Sequence, residues 1–133
     1  MMPPLGALER EVMQVVWANG GSTAEVVREQ LMRRSKESTV RTVLRRLEQK
    51  GYVTHTIVRR TYIYRAAVAR GRVAAEAIQS IAERFCDGSI EEVLASMVDA
   101  AMLDQRRLRL MIDTIAKGKA AKNFGSSSRG QRV

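Results

Sequence analysis

The chain has 133 residues, with 23 Lys+Arg against 14 Asp+Glu and a formal net charge of +9, and its 45% hydrophobic residues exclude wholesale disorder. A single cysteine and a single histidine exclude an intrachain disulfide and a zinc cluster, so we expect no metal and no cofactor. No apolar run reaches the roughly 18 residues that a membrane span needs, and the first residues lack a signal-peptide pattern, so we expect a cytoplasmic protein without membrane insertion of its own.

Two amphipathic helices open the chain. Apolar residues recur at helical spacing from Leu5 to Trp17, and the Asn-Gly-Gly break that follows ends this first helix. Ser22 or Thr23 then stands where an N-cap belongs, which predicts a second helix from about Thr23 to Arg33. Trp17 closes the first apolar stripe, so we expect it to anchor the core rather than to stack on a ligand.

The third helix carries the strongest functional signal. It opens near Glu37 or Ser38 and ends at Gly51, with an apolar stripe on its buried side. Hydroxyls and guanidinium groups fill the other side, and Glu48 is the only acid near them. Arginine reads guanine and clamps phosphate, and threonine contacts a base edge or a thymine methyl, so this face favours a major-groove surface over a merely solvated one. The candidate DNA-binding residues on it are Ser38, Thr39, Arg41, Thr42, Arg45 and Arg46.

After Gly51 the periodicity changes to two β-branched and aromatic runs, 52–58 and 61–65. They predict a β-hairpin with Arg59 and Arg60 at its tip, both suited to the negative potential of a phosphate backbone or a minor groove. The tip lacks the Asn-Gly signal of a tight turn, which leaves its length open. Helices followed by a basic hairpin are typical of a winged helix-turn-helix.

Three further helices are predicted in the C-terminal half, from about Gly71 to Phe85, after Ser89 and after Asp104. Their apolar stripes need a partner, and we favour a second copy of the chain over folding back on the same domain. The candidate dimer-interface residues are Ile78, Ile81, Phe85, Val93, Leu94, Met97, Leu108, Met111, Ile112 and Ile115.

The distribution of charge also separates the N-terminal part of the chain from the C-terminal helices. Residues 1–70 carry a net charge of +7, residues 71–115 carry −3, and residues 116–133 carry +5. A basic lobe beside a mildly acidic helical segment indicates one part that meets a polyanion and another that meets protein. We therefore expect a mainly α protein: a winged-helix DNA-binding domain over 1–70, a helical dimerisation region over 71–116 and a disordered basic tail over 117–133.

Residues 5–70 resemble the BlaI/MecI-type penicillinase repressors of bacteria, most clearly in the stretches 5–17, 23–31, 38–53 and 60–65. The resemblance implies a homodimeric repressor of transcription that binds a dyad operator in double-stranded DNA. It also implies that DNA bases or phosphates are contacted by Thr39, Arg41, Thr42 and Arg46. It also implies control of a β-lactamase-type or related gene, hence a role in antibiotic resistance, and relief by a membrane-bound sensor peptidase that triggers cleavage.

The C-terminal half resembles the family only in outline. Members cleaved by the staphylococcal-type pathway have an Asn-Phe bond in the middle C-terminal helix, and the best-aligned bond here joins Ser96 and Met97, the candidate proteolytic site.

An enzyme has almost no support, because no nucleophile accompanies the single histidine and no paired acids lie in an apolar setting. The rival interpretation is a winged-helix adaptor that docks acidic protein partners without reading DNA sequence. Discrimination between base pairs separates the two, since an adaptor would show only salt-sensitive, sequence-blind attraction to a duplex.

Overall fold

The computed structural model describes residues 2–118. Within them the chain forms six helices and one two-stranded antiparallel sheet, which confirms the mainly α winged helix-turn-helix predicted from the sequence. In chain order the elements are α1 (Ala7–Ala18), α2 (Ala24–Gln30), α3 (Glu37–Gln49), β1 (Val53–Val58), β2 (Thr61–Ala66), α4 (Arg70–Phe85), α5 (Ile90–Asp99) and α6 (Gln105–Ala116). None of the described helices is long and apolar enough to cross a membrane.

The core of the N-terminal part forms where the apolar stripes of α1, α2 and α3 meet the base of the hairpin. Met13, Leu44 and Leu47 are its largest fully buried side chains. Burying each such side chain contributes about 1.5–3 kcal/mol, so this stripe packing holds the three helices together. Trp17 packs against the cluster, and its Nε1 donates a hydrogen bond to the Val68 carbonyl at 2.9 Å, as expected of an anchor.

Helix α2 is shorter than predicted. Thr23 caps it by accepting a hydrogen bond from the Val26 N–H at 3.1 Å, but the helix ends at Gln30 and does not reach Arg33. Leu31 adopts an extended conformation (φ −69°, ψ 139°) and packs against the core cluster. The apolar spacing of the sequence therefore stays helical beyond Gln30, whereas in the structure the packing of Leu31 against the core ends the helix there.

The hairpin has a two-residue turn. Val58 pairs with Thr61, so Arg59 and Arg60 form the whole connection. Both have positive φ, +50° and +67°, the mark of the type I′ turn whose twist matches that of the strands. The sequence did not determine the length of this turn, and the structure gives it the shortest of the common hairpin loops.

A charged group is buried behind α3, on the side toward α1. The Glu9 carboxylate, whose residue is 4% exposed, accepts hydrogen bonds from the Gly6 N–H at 2.6 Å and from Lys50 Nζ at 2.8 Å. Burial raises the pKa of Glu9, but the Gly6 N–H and the Lys50 ammonium outweigh it and leave the pKa below its usual range. Lys50 also donates to the Pro4 carbonyl, so one ion pair ties the N-terminal residues to the end of α3.

The described residues divide into two compact units, with the boundary between Glu76 and Ala77. In the second unit Ser89 caps α5 and Asp104 caps α6, each by accepting a hydrogen bond from a first-turn N–H, as predicted. Among its described residues Ala82 and Val93 are the buried hydrophobic ones. The expected basic tail lies, from residue 119 onward, outside the described residues.

Candidate nucleic-acid interface

Helix α3 presents all six of its candidate DNA-binding residues to solvent. At about 100° per residue, the centre of the face opposite the buried stripe holds Ser38, Thr42 and Arg45. Arg41 and Arg46 lie about 140° apart by the same arithmetic, so they occupy opposite flanks. The apolar stripe of the sequence predicts the exposed face but does not tell which flank the hairpin covers.

The two flanks have different surroundings. Arg41 lies on the hairpin side, where its charge, like that of Arg45, acts on Tyr64. Arg46 lies on the other side with Thr39, and its charge acts on Glu9. The flank arginines are therefore far enough apart to meet different parts of a bound duplex.

Two candidate residues already have partners within α3, and one of these partners is Glu37, so the expectation that Glu48 is the only acid near this face is wrong. Arg41 donates to Glu37 from Nε at 3.0 Å and from Nη2 at 2.6 Å, and the Thr42 hydroxyl donates to the Ser38 carbonyl at 3.0 Å. Arg45 and Arg46, in contrast, make no ion pair with any other described residue. Arg45 thus combines the central position with an unpaired guanidinium.

A cleft of about 670 Å³ separates α3 from the hairpin. It is lined by Thr23, Ala24, Glu25, Arg41, Arg45, Glu48, His55, Arg60, Thr61, Tyr62 and Tyr64. Three guanidinium groups therefore converge on one opening that has an aromatic wall. The structure brings Arg41 and Arg45 of the helix together with Arg60 of the hairpin tip, as a surface that follows a phosphate backbone requires.

Sequence reasoning did not predict how the cleft residues that are not cationic contact one another. Glu48 accepts a hydrogen bond from His55 Nδ1, which lies 2.8 Å from each carboxylate oxygen. The His55 ring stacks on Tyr62, with centroids 4.5 Å apart and planes 11° apart. Burial, with help from Glu48 and Tyr62, raises the pKa of Tyr64, so its phenol stays neutral at any physiological pH. The alternation of the strands places His55 and Tyr62 on one face, and this signal was available in the sequence.

The hairpin tip is exposed and basic. Arg59 and Arg60 are both exposed and make no ion pair within the described part of the chain. A non-glycine residue with positive φ is disfavoured by about 1–2 kcal/mol, and here two stand in succession. This type of turn favours Asn-Gly, so two arginines in it lower stability. Their presence indicates that positive charge at the hairpin tip has a function.

The candidate dimer-interface residues lie on α4, α5 and α6 of the second unit. Most of them are exposed: Phe85 by 75%, Ile112 by 55% and Ile115 by 56%, with Ile78, Ile81, Leu94 and Met111 near 37%. Val93 is buried, and Met97 and Leu108 are half-buried. The candidate proteolytic bond lies inside α5, where Ser96 is exposed.

Comparison with known proteins gives a family match, one similar protein sequence and two similar solved structures. A family model described as penicillinase repressor matches residues 5–117. An uncharacterized 16.5 kDa protein from the ptsI 3' region of Latilactobacillus sakei is 30% identical over 115 residues, which cover 85% of this chain and 78% of that protein.

Two solved structures are also similar. BlaI of Bacillus licheniformis, in monomeric form in complex with the blaP half-operator, is 27% identical, with a TM-score of 0.45 over 53% of this chain and 89% of that chain. BpsR of Bordetella bronchiseptica, whose DNA binding is regulated by 6-hydroxynicotinic acid, is 20% identical, with a TM-score of 0.47 over 74% of this chain and 76% of that chain.

Proposed function

Because this chain belongs to the penicillinase repressor family, which it matches over residues 5–117, we propose that it represses transcription as a homodimer on a two-fold symmetric operator. Members of the family are DNA-binding transcriptional repressors, and this chain is one of them. The proposed division of labour is a winged-helix domain over about residues 1–70 that reads DNA and a helical region over about 71–116 that dimerises.

The unpaired Arg45 at the centre of the exposed α3 face carries the proposal for DNA reading. With α3 in the major groove, Arg45 reaches a guanine edge, flanked by Ser38 and Thr42. Arg41 and Arg46, on opposite flanks, contact phosphates or bases on either side of that centre. An α-helix fits this groove, and arginine is the residue that most often reads guanine there.

The cleft between α3 and the hairpin receives the sugar–phosphate backbone beside the groove. Arg41 and Arg45 line it from the helix, and Arg60 lines it from the hairpin tip. Arg59 extends the same positive surface toward the adjacent minor groove. These contacts position the duplex and carry no sequence information directly, since every phosphate is alike.

Dimerisation is supported by the apolar surface of the second unit. Seven of the ten interface candidates are exposed on α4, α5 and α6, and α6 has no buried residue. Exposed apolar stripes of this extent are unusual on a soluble monomer, and a second copy would cover them in a self-complementary way. A two-fold dimer would then present two α3 helices to the two halves of a dyad operator.

The family resemblance supports control of a β-lactamase-type or related gene, as part of antibiotic resistance, with release through a membrane-bound sensor peptidase. A cytoplasmic location follows from access to the DNA. Cleavage at Ser96-Met97 would require α5 to open locally, because the Ser96 hydroxyl and the backbone are engaged in the helix. Cleavage would separate α6 and its interface candidates from the rest of the chain, which would weaken dimerisation and operator affinity with it.

The test is fluorescence anisotropy of the full chain on the intergenic duplex beside its own gene, against a shuffled duplex at near-physiological salt. Nanomolar binding of a dimer with about a thousandfold preference supports the repressor. Arg45→Ala should remove much of that preference, whereas Arg10→Ala, an exposed arginine of α1, should not. Equal micromolar binding to both duplexes would overturn the operator proposal in favour of an adaptor.

A further inference from the structure

The outer part of the hairpin has few ties to the rest of the N-terminal unit. At its base Tyr64 is buried and exchanges two backbone hydrogen bonds with Ser22, at 2.9 and 2.8 Å. From residue 56 to residue 62 every hairpin residue is exposed. The direction of the tip, which holds Arg59 and Arg60, therefore depends on contacts made between the base and residue 56.

On the β2 side of that place the side chains of Ile63 and Arg65 lie against Gly21, and on the α3 side there is a polar contact. Glu48, in the last turn of α3, holds His55 Nδ1 of β1 at 2.8 Å through both of its oxygens. The His55 ring in turn stacks on Tyr62, which pairs with Ile57 only one register position from the tip pair. The chain Glu48–His55–Tyr62 thus runs from the recognition helix along the hairpin toward the tip arginines.

We propose that Glu48 and His55 are positioning residues for DNA binding, which hold the hairpin tip at a fixed angle to α3. The proposal rests on the proposed function, in which α3 and the tip contact one duplex together. A tip held in place before binding loses less conformational freedom on binding than a free one, and this gain appears as affinity. Neither residue needs to contact DNA for this effect.

The negative charge of Glu48 makes the proposal testable. An electrostatic role and a positioning role predict opposite changes in DNA affinity when Glu48 is removed. A carboxylate in a cleft that also holds Arg41, Arg45 and Arg60 repels the phosphates of DNA. If charge alone mattered, removing Glu48 would tighten binding. If Glu48 positions the tip, removing it weakens binding in spite of the lost repulsion.

The experiment compares Glu48→Ala with Glu48→Gln in the full chain on the operator duplex. Both remove one negative charge, but the glutamine oxygen can still accept a hydrogen bond from Nδ1. We expect Glu48→Ala to weaken binding by about three- to fivefold and Glu48→Gln to recover most of that loss. Glu25→Ala, which removes an exposed acid from the same cleft, is the matched control and should not weaken binding.

His55→Phe gives a second route to the same contact, since it keeps a flat ring against Tyr62 and removes Nδ1. We expect a similar loss of affinity, and the double variant with Glu48→Ala should be no weaker than either single one. Alanine favours helix at position 48, and thermal unfolding of each variant checks that the fold is kept.

A cycle with Arg59→Ala/Arg60→Ala separates this proposal from the proposed function. If the tip variant alone leaves affinity unchanged, the tip contact of the proposed function is wrong and the positioning role falls with it. If the tip variant weakens binding but Glu48→Ala does not, only the positioning proposal is overturned. If Glu48→Ala weakens the tip variant as much as the parental chain, Glu48 acts elsewhere and the proposal is likewise overturned. Support requires that the effect of Glu48→Ala disappears in the tip variant.

Discussion

Replacing Arg59 by Asn and Arg60 by Gly should make the protein more stable and a weaker DNA binder at the same time. Both arginines stand in the left-handed region, where each non-glycine residue costs about 1–2 kcal/mol, while Asn-Gly is the pair that a type I′ turn prefers. Asn relieves only part of its share, so we expect the free energy of unfolding to rise by about 1–2 kcal/mol. For a unit of this size that corresponds to roughly 4–8 °C in melting temperature per kcal/mol.

The same change removes two cations from the proposed phosphate contacts. The slope of log K against log salt should therefore become shallower by about two, roughly one for each arginine that no longer neutralises a phosphate. Circular dichroism melting and anisotropy at several salt concentrations measure the two effects. Arg59→Lys with Arg60→Lys is the control, which keeps charge and backbone conformation and should leave both quantities near the parental values. An unchanged melting temperature would refute the strain argument, and an unchanged slope would refute the tip contact.

Four other substitutions test three further parts of the molecule. Arg45→Ala should cost about 1–3 kcal/mol on the operator and relax specificity at one base pair, whereas Arg46→Ala, if Arg46 binds a phosphate, should weaken all sequences alike; competition with single-base variants of the operator distinguishes them. Glu9→Gln should destabilise the fold by about 1–2 kcal/mol at neutral pH, because it leaves Lys50 without its charged partner. The lowered pKa of Glu9 gives stability that is present above its ordinary value of 4.5 and is lost as pH falls through the folded-state pKa, so urea unfolding should show the two proteins converging in acid. Ile112→Asp, on the exposed face of α6, should shift sedimentation equilibrium from dimer to monomer while the helical circular dichroism signal remains.

The sequence predicted the elements whose signals are local. The apolar period located α1 and α3, and the N-caps Thr23, Ser89 and Asp104 each make the predicted hydrogen bond. The resemblance over residues 5–70 was confirmed by the family match. In these cases the residues that cause the helix to form, or to begin where it does, all lie within one short stretch of the chain.

Features that depend on two elements were not predicted. The end of α2 is set by Leu31 packing on a core that other helices build. The contact between Glu48 and His55 joins residues only seven apart, yet it requires the last turn of a helix and the register of a strand together. The tip length was also open, because Arg59-Arg60 has no turn preference of its own, and the pairing of Val58 with Thr61 decides it.

Glu37 is a built-in competitor for DNA within the recognition helix. A base or phosphate that binds the Nε and Nη2 edge of Arg41 must displace a carboxylate that already accepts a hydrogen bond from each of these two atoms. The free energy that Arg41 contributes to DNA binding is therefore the difference between its interaction with DNA and its interaction with Glu37. Arg45 has no ion pair to break within the described residues. An exposed pair of this kind is worth about 0.3–0.5 kcal/mol, enough to subtract from weak, poorly aligned contacts and too little to prevent a well-aligned bidentate one. The pair therefore lowers the contribution of Arg41 by a similar small amount at every site that uses this edge, and substitutions of Glu37 would raise affinity there without changing a single DNA-contacting group.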